Sequence, residues 1–386
     1  MMSTYVQAKQ FFLPMEVTGP GYLEITADGK FGDFSRDIPE GSDVIDYGSF
    51  SIAPGLVDTH IHGYQGHDVM DNDPEGLKVM AEALPSCGVT SWLPTTLTAS
   101  RELLADVCRT VGENAEAFEG AKIRGIFLEG PFFSEEHKGA QNPKYMGDPD
   151  ISALEEWVEA SKGYVKKIGI APEREGAVDF TKQATQLGVA VGIGHTSATF
   201  DECEAVINAG ANIFVHAYNG MRGLNHREPG VVGAAMFFKD AYDELICDGH
   251  HVHPVAAKVL LDAHGRKRTM LITDCMRAGG LGEGESHLGE YKVIVKDGAA
   301  RLADSGNLAG SILQLIDGVK NVVKWQIASP AEAIRMASQV PAESVKIDDV
   351  CGKIAPGYAA DFIVLEDDMS LVATYLDGTL AYDAEA

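Results

Sequence analysis

Short apolar runs alternate with longer helix-like segments through the middle of the chain. The apolar runs have the length of strands, and eight of them end near His60, Pro94, Glu129, Ala171, His195, His216, Cys247 and Asp274. The segments between them predict helices over 74–86, 100–117, 150–161, 176–187, 200–209, 254–264 and 311–325. Such alternation is typical of βα units, and eight units predict an α/β fold, a closed (β/α)8 TIM barrel. An open doubly wound sheet is the alternative, but no glycine-rich phosphate-binding motif follows the first strand.

The two ends of the chain have a different pattern, in which short strand-like runs are separated by turns. Near the start, Tyr22-Leu23-Glu24-Ile25 precedes the turn Ala27-Asp28-Gly29-Lys30. Near the end, a turn at Pro356-Gly357 leads into the apolar run 361–365. We therefore predict one small β-sandwich domain built from residues 1–52 and 350–386. It would flank a TIM-barrel domain over 53–349.

The formal net charge of −26 argues against nucleic acid and against anionic membrane surfaces as partners. An anionic substrate would need its own local cluster of donors. No apolar run is long enough to span a bilayer, and the N-terminus lacks the basic and apolar regions of a signal peptide. The six cysteines are scattered without CxxC spacing, so we expect reduced core thiols and a cytoplasmic protein.

Polar side chains cluster where the predicted strands end, which is where TIM barrels keep their chemistry. After the run Ile52 to Val57 come His60 and His62, which point to the same side of a strand because they are two residues apart. Both can therefore face the barrel interior and share one metal ion. A single histidine at such a position would more simply be a structural core residue.

Four further strand ends carry one candidate each. Glu129 follows the largely apolar residues 125–128, where a carboxylate is costly to bury unless it is paired or binds a metal. Its alternative roles are a helix N-cap and a salt bridge. His195, His216 and Asp274 each close an apolar run in the same way. The ordered set His-x-His, Glu, His, His, Asp at the strand ends of one barrel indicates a metal site.

This set has the chemistry of a metal-dependent hydrolase. Imidazoles and carboxylates bind zinc or iron(II), and a bound ion lowers the pKa of water toward ~7 and polarises a carbonyl. A carboxylate that is not a principal ligand can take the proton of that water and pass it to a leaving amine. We assign this role to Asp274, with the orientation of a ligand histidine as the alternative.

These residues resemble those of the amidohydrolase superfamily over nearly the whole chain, including the entry Pro54-Gly55-Leu56-Val57-Asp58. More closely, the chain is similar to the N-acetylglucosamine-6-phosphate deacetylase family in six motifs. They are Leu128-Glu129-Gly130-Pro131-Phe132, Gly194-His195-Thr196, His216-Ala217-Tyr218-Asn219-Gly220-Met221, Arg227-Glu228-Pro229-Gly230, Asp248-Gly249-His250-His251-Val252 and Leu308-Ala309-Gly310-Ser311. The fourth-strand lysine of carbamate-bridged relatives is missing, because Lys166 and Lys167 precede Ile168 and lie at the wrong end of their strand.

The resemblance implies a homodimer that hydrolyses N-acetylglucosamine 6-phosphate to glucosamine 6-phosphate and acetate. It also implies one or two divalent ions, zinc or iron(II). Glu129, His195 and His216 would bind the first ion, and His60 and His62 match the members that hold a second.

For the substrate, the resemblance implies contacts by Ala140, Gln141, Asn219, Gly220, Arg227, His251, Leu308, Ala309 and Gly310. Asn219, Gly220 and Arg227 would lie near the phosphate, and residues 308–310 at the acetyl end. His251 would lie near the sugar or the acetyl carbonyl and act in catalysis together with Asp274. Many members have a histidine where Gln141 stands, and a glutamine cannot become cationic, which puts its sugar or phosphate contact in question.

Three alternatives stay open. Another amidohydrolase, such as a cyclic-amide hydrolase, is disfavoured by the Arg227 loop and the missing lysine. An N-acetylgalactosamine-6-phosphate deacetylase cannot be separated from its epimeric counterpart by sequence. A non-catalytic scaffold descended from an amidohydrolase should have lost ligands, and this chain has a full set.

Overall fold

The computed structural model describes residues 3–385, so Met1, Met2 and Ala386 of the predicted terminal segments lie outside the described residues. In chain order the strands are β1 (Thr4–Phe12), β2 (Val17–Thr18), β3 (Gly21–Ile25), β4 (Phe31–Ser35), β5 (Asp43–Pro54), β6 (Leu56–Ile61), β7 (Gly63–Tyr64), β8 (His67–Asp68), β9 (Val89–Thr96), β10 (Lys122–Ile123), β11 (Ile126–Phe132), β12 (Val165–Ile170), β13 (Ala190–Ile193), β14 (Ile213–Phe214), β15 (Tyr242–Ile246), β16 (Thr269–Ile272), β17 (Gly284–Leu288), β18 (Tyr291–Lys296), β19 (Ala299–Leu302), β20 (Phe362–Leu365), β21 (Leu371–Leu376) and β22 (Thr379–Asp383).

The helices follow most of the barrel strands. They are α1 (Pro74–Ala83), α2 (Arg101–Asn114), α3 (Ile151–Ala160), α4 (Ala177–Gln186), α5 (Phe200–Ala209), α6 (Gly230–Phe237), α7 (Pro254–His264), α8 (Leu315–Lys324), α9 (Pro330–Met336) and α10 (Gln339–Ser344). Short 3-10 helices lie at Val69–Asp71, Leu84–Cys87, Glu135–His137 and Pro143–Tyr145.

The middle of the chain forms the predicted barrel. Strands β6, β9, β11, β12, β13, β14, β15 and β16 pair in this order, and each neighbouring pair is parallel. The last strand, β16, meets the first, β6, where the Asp274 N–H donates to the His60 carbonyl at 2.8 Å, and this contact closes the barrel. The fold prediction is therefore confirmed, and each of the eight strands ends within three residues of its predicted position.

All seven predicted helices are present, and five of them begin at a residue whose side chain caps the helix. Ser100 caps α2 by accepting from the Leu103 N–H, and Asp150 caps α3 in the same way. Helix α6 and the short helices α9 and α10 were not predicted. Helix α6 escaped prediction because its sequence, GVVGAAMF, is apolar on nearly all sides and so lacks the helical alternation of polar and apolar positions.

The strands from the two chain ends join in one eight-stranded sheet, in which β20 pairs with β5. Three strands lie between β4, which contains Phe31, and β20, which contains Phe362, yet the two ring centroids are only 6.3 Å apart. The sheet therefore curls and packs against itself around an apolar core, as the two layers of a sandwich do. The domain limits at residues 52/53 and 349/350 stay a prediction.

A three-stranded antiparallel sheet, β17 to β19, follows the last barrel strand and was not predicted. Its apolar face, with Val293, Val295 and Leu302, packs with Met276 and Ala309 from the segments at the mouth of the barrel. This small sheet therefore covers one side of the barrel mouth. Over residues 3–385, no helix is long and apolar enough to cross a membrane.

Candidate active site

The carboxyl-terminal ends of five barrel strands bring the predicted metal-binding side chains together. Two groups form, and in each the ligand atoms all lie within 4.8 Å of one another. The members are His60, His62 and Asp274 in one group, and Glu129, His195 and His216 in the other. The residues predicted from five separate strand ends thus meet in one place.

The four histidines are oriented by acceptors on the outer side of each ring. His60 Nδ1 lies 3.0 Å from Glu244 Oε2, and His62 Nδ1 lies 3.2 Å from the Thr95 carbonyl oxygen. His195 Nδ1 lies 2.7 Å from the His137 carbonyl oxygen, and His216 Nδ1 lies 3.1 Å from that of Asn219. Because carbonyl and carboxylate oxygens only accept, each Nδ1 is the protonated donor. The lone pair of each Nε2 then faces inward, as metal binding requires.

The carboxylate of Glu129 lies between the two groups. Its Oε1 is 3.0 Å from His216 Nε2 and 3.3 Å from His195 Nε2, whereas its Oε2 is 3.2 Å from His62 Nε2. Oδ1 of Asp274 lies 3.2 Å from the same His62 nitrogen and 3.6 Å from His60 Nε2. Glu129 can therefore serve both groups, while Asp274 reaches only the His60–His62 side.

The electrostatics of this centre fit a cation. Burial disfavours the charged form of His60, but the carboxylates of Glu244, Glu129 and Asp274 outweigh burial and raise its pKa to about 9. Burial likewise opposes ionisation of Glu129, yet the surrounding histidines lower its pKa. Nε2 of His60 is buried and has no hydrogen-bond partner. Imidazole nitrogens and carboxylates around a buried nitrogen that lacks a hydrogen-bond partner are the ligand set that a divalent zinc-type or iron(II) ion takes.

Three of these residues have an unusual backbone conformation. His195, His216 and Asp274 have φ angles of 45°, 33° and 50°, in the left-handed region that non-glycine residues rarely adopt. Each comes directly after its strand or within two residues of its end, so the chain turns sharply there and aims the side chain into the barrel mouth. Strain of this kind is typical of functional sites.

A buried ion pair between Lys167 and Glu244 supports His60 inside the barrel and was not identified from the sequence. The carboxylate of Glu244 in β15 binds the ammonium group of Lys167 and accepts from the His216 backbone N–H at 3.1 Å. Lys167 is the third residue of β12 and also lies over the Phe127 ring, 3.6 Å from its centroid. Its ammonium group is engaged by Glu244 inside the barrel, which agrees with the inference that no carbamate-forming lysine ends this strand.

Asp58 is a second supporting residue for which the sequence suggested no role. One of its oxygens accepts from the His60 backbone N–H at 3.2 Å, and the other accepts from the Thr273 hydroxyl at 2.6 Å. Burial raises the pKa of this carboxyl to about 6, although both hydrogen bonds act to lower it. Asp58 therefore ties β6 to β16 immediately below two of the candidate ligands.

A cavity of about 150 Å³ opens onto the metal-binding groups. Its lining includes every predicted substrate contact except Arg227, together with most of the candidate ligands. The lining residues are His62, Leu97, Glu129, Gly139, Ala140, Gln141, His195, His216, Asn219, Gly220, His251, Asp274, Leu288, Leu308, Ala309 and Gly310. Leu97, Gly139 and Leu288 were not predicted, and Leu288 belongs to the small sheet at the barrel mouth.

His251 is held in this cavity by Asp248. Nδ1 of His251 donates to Asp248 Oδ2 at 2.6 Å, while Oδ1 of Asp248 accepts from the backbone N–H groups of His250 and His251. Burial acts to lower the pKa of His251, but the hydrogen bond and charge of Asp248 outweigh it and raise the pKa. The cavity wall therefore holds a histidine that is biased toward its cationic form.

Arg227 lies apart from these residues. It is exposed in the loop between β14 and α6, where its backbone N–H donates to Asn225 Oδ1 at 3.0 Å, and it is not part of the cavity lining. Arg227 is therefore the one predicted substrate contact that this cavity does not include. Its role near a phosphate stays a prediction.

Comparison with known proteins places this site in a family. The model of the amidohydrolase family matches residues 51–381. The chain is 40% identical over 351 residues to N-acetylglucosamine-6-phosphate deacetylase of Vibrio furnissii, covering 91% of this chain and 88% of that one. It is also 40% identical over 331 residues to N-acetylgalactosamine-6-phosphate deacetylase of Escherichia coli O157:H7, covering 86% and 87% of the two chains.

Solved structures agree with the sequence comparison. The crystal structure of N-acetyl-D-glucosamine-6-phosphate deacetylase from Mycobacterium smegmatis superimposes with a TM-score of 0.92 at 30% identity, covering 99% of this chain and 100% of that one. The corresponding Thermotoga maritima enzyme gives a TM-score of 0.86 at 32% identity, with 97% and 98% covered. The fold, the six converging side chains and the length of the matches lead to one conclusion: this chain belongs to the amidohydrolase family.

Proposed function

We propose that this protein is a metal-dependent deacetylase that hydrolyses N-acetylglucosamine 6-phosphate to glucosamine 6-phosphate and acetate. One observation carries the proposal. Four histidine side chains and the carboxylates of Glu129 and Asp274 converge in two groups, and all of them except His60 line one cavity. The 40% identical Vibrio furnissii relative is a deacetylase of this substrate.

The proposed metal-binding residues are the two groups at the strand ends. Glu129, His195 and His216 would hold one ion, and His60 and His62 would hold a second beside Asp274. A bound divalent ion activates water for attack at neutral pH and polarises the amide carbonyl. Zinc and iron(II) both suit these ligands, and we propose one of them as the native metal.

The chain's own residues then bind the substrate and move the proton. Asp274 would accept the proton of the attacking water through its carboxylate and deliver it to the amine nitrogen as the C–N bond breaks. His251, whose pKa Asp248 raises, would donate a hydrogen bond to the sugar or the acetyl carbonyl. Residues 308–310, which line the cavity, would enclose the acetyl group, and Ala140, Asn219 and Gly220 would contact the sugar and its phosphate.

The phosphate is an anion in a chain of net charge −26, so local donors must bind it. We propose Arg227 for this role because its planar guanidinium matches phosphate oxygens. Its exposed position makes loop closure or a second copy part of the proposal.

A second candidate is the deacetylation of the galacto epimer, since the Escherichia coli relative with that activity is equally identical in sequence. An acetate-release assay on both phosphorylated epimers, with metal content measured on the same protein, tests both. Release from the gluco epimer with the higher kcat/KM supports the first proposal. A preference for the galacto epimer replaces it with the second, and no release from either by metal-loaded protein would refute both.

We further propose a cytoplasmic homodimer. The six cysteines are free and buried in the described part of the chain, which suits a reducing compartment. Four large apolar side chains on α6, on α7 and in the loop before α6 are strongly exposed: Leu224 (58%), Phe237 (63%), Val255 (64%) and Val259 (50%). Helices α6 and α7 contact each other, and exposed apolar side chains on neighbouring helices favour a protein interface. Nucleic acid and membranes are disfavoured as partners by the charge of −26.

A further inference from the structure

Gln141 bridges two parts of the site and both ends of its amide are occupied. Its Oε1 accepts from the Thr98 backbone N–H at 2.7 Å, and its Nε2 donates to Glu129 Oε2 at 2.6 Å. The residue is 2% exposed. Thr98 follows β9, whereas Glu129 lies in β11, so the amide links two neighbouring strand ends.

The orientation of this amide follows from its partners. The Thr98 N–H can only donate, so the oxygen of the amide must face it, and the nitrogen must face the carboxylate of Glu129. A hydrogen bond from a buried amide to a carboxylate is charge-assisted and stronger than one between neutral groups. It therefore restricts rotation of the Glu129 carboxylate.

Because its rotation is restricted, the Glu129 carboxylate presents each of its two oxygens to different partners. Oε2 is held by Gln141, so Oε1 is left facing His216 Nε2 at 3.0 Å and His195 Nε2 at 3.3 Å. Without the amide, the carboxylate could turn about its terminal bond and exchange these partners. The metal-binding group of Glu129, His195 and His216 depends on this orientation of the Glu129 carboxylate.

The same stretch of chain also holds a second ligand of that group. The His137 carbonyl accepts from His195 Nδ1 at 2.7 Å. A turn in which the Gln141 N–H donates to the Lys138 carbonyl at 2.8 Å joins the two contacts. Residues 137–141 thus support both Glu129 and His195 from outside.

We infer that Gln141 is a positioning residue for the metal-binding carboxylate of Glu129, and that its amide does not serve primarily as a substrate contact. The inference rests on metal binding by the Glu129 group, which is part of the proposed function, and is independent of which sugar the enzyme accepts. Partners of metal ligands of this kind change metal affinity by about 10–100-fold when they are removed.

The test measures zinc affinity of substrate-free protein by competition with a chromophoric chelator. Gln141→Leu removes both the donor and the acceptor at similar volume, and it should weaken zinc binding by about 10–100-fold. Gln141→His should restore most of that affinity, because a neutral imidazole offers one acceptor for Thr98 and one donor for Glu129. Asn142→Ala is the matched control, since Asn142 is bonded to Glu290 and should leave zinc affinity unchanged.

Kinetics at saturating zinc separate this role from substrate binding. We expect KM of zinc-saturated Gln141→Leu to stay near the wild-type value. Wild-type zinc affinity together with a strongly raised KM would overturn the inference and make Gln141 a substrate contact. If Gln141→Leu does not fold, as judged by circular dichroism, Gln141→Met carries the same expectation. Zinc binding is measured without sugar, so it decides this inference even if the proposed substrate is wrong.

Discussion

Oε2 of Glu244 lies 3.0 Å from Nδ1 of His60, and both side chains are completely buried in the barrel interior. The hydrogen bond fixes the tautomer of His60 and directs its Nε2 toward the candidate metal centre. The second oxygen of the carboxylate binds Lys167. Lys167 of β12 thereby supports the candidate metal ligand His60 of β6 through the Glu244 carboxylate of β15.

Removal of the Lys167 charge should destabilise the protein. Lys167→Met leaves the carboxylate of Glu244 buried without its cation, which typically costs about 3–5 kcal/mol. Urea unfolding of the two proteins measures the loss. The double variant Lys167→Met/Glu244→Gln should recover much of it, because a neutral amide can still accept from His60. A single variant as stable as the wild type would show that the pair is not needed for stability.

Metal content should depend differently on the two groups. His195→Ala or His216→Ala deletes one of three ligands and should remove most of the bound metal and activity. The double variant His60→Ala/His62→Ala should lower the stoichiometry of metal-replete protein from above one ion per chain to one. Elemental analysis measures both, with exposed His250→Ala as the control. Full metal content in either single variant, or an unchanged value of one in the double variant, would contradict the assignment.

Binding of the anionic substrate should weaken as His251 loses its proton. Asp248 raises the pKa of His251 against the effect of burial, so the cation is present below that raised pKa and is lost as the pH rises through it. KM should therefore rise at alkaline pH. In Asp248→Asn the amide oxygen can still accept from the backbone N–H groups, but the charge is gone, so the rise should move to lower pH. Identical KM profiles for the two proteins would exclude this role.

Much of the site could be predicted because its residues end apolar strands. His60, Glu129, His195, His216 and Asp274 each interrupt a buried run at the position where parallel strands meet. Hydrophobic periodicity reveals such positions without knowledge of the tertiary contacts. The same periodicity gave the seven helices that have a polar face.

The residues that were missed act through partners distant in sequence. Glu244 lies within a strand beside Asp243, and nothing in the local sequence marks it as functional. Its role follows from its contacts with Lys167, 77 residues away, and with His60, 184 residues away. For Gln141, the resemblance suggested a substrate contact, which stays a prediction, whereas its bonds to Thr98 and Glu129 exist only in the folded loop. For Arg227, the exposed position depends on the conformation of a loop, which local sequence does not determine.

Acetate release by metal-replete Asp274→Asn tests most directly whether Asp274 carries the proton in a metal-dependent hydrolysis. The amide keeps the shape of the side chain and loses the base, so kcat should fall by roughly 10²–10⁴-fold. Metal in the Glu129 group should stay near the wild-type level, since Glu129, His195 and His216 are intact. A metal-replete Asp274→Asn protein with near-normal kcat, or a loss of rate that follows metal loss and is restored by added metal, would contradict the account.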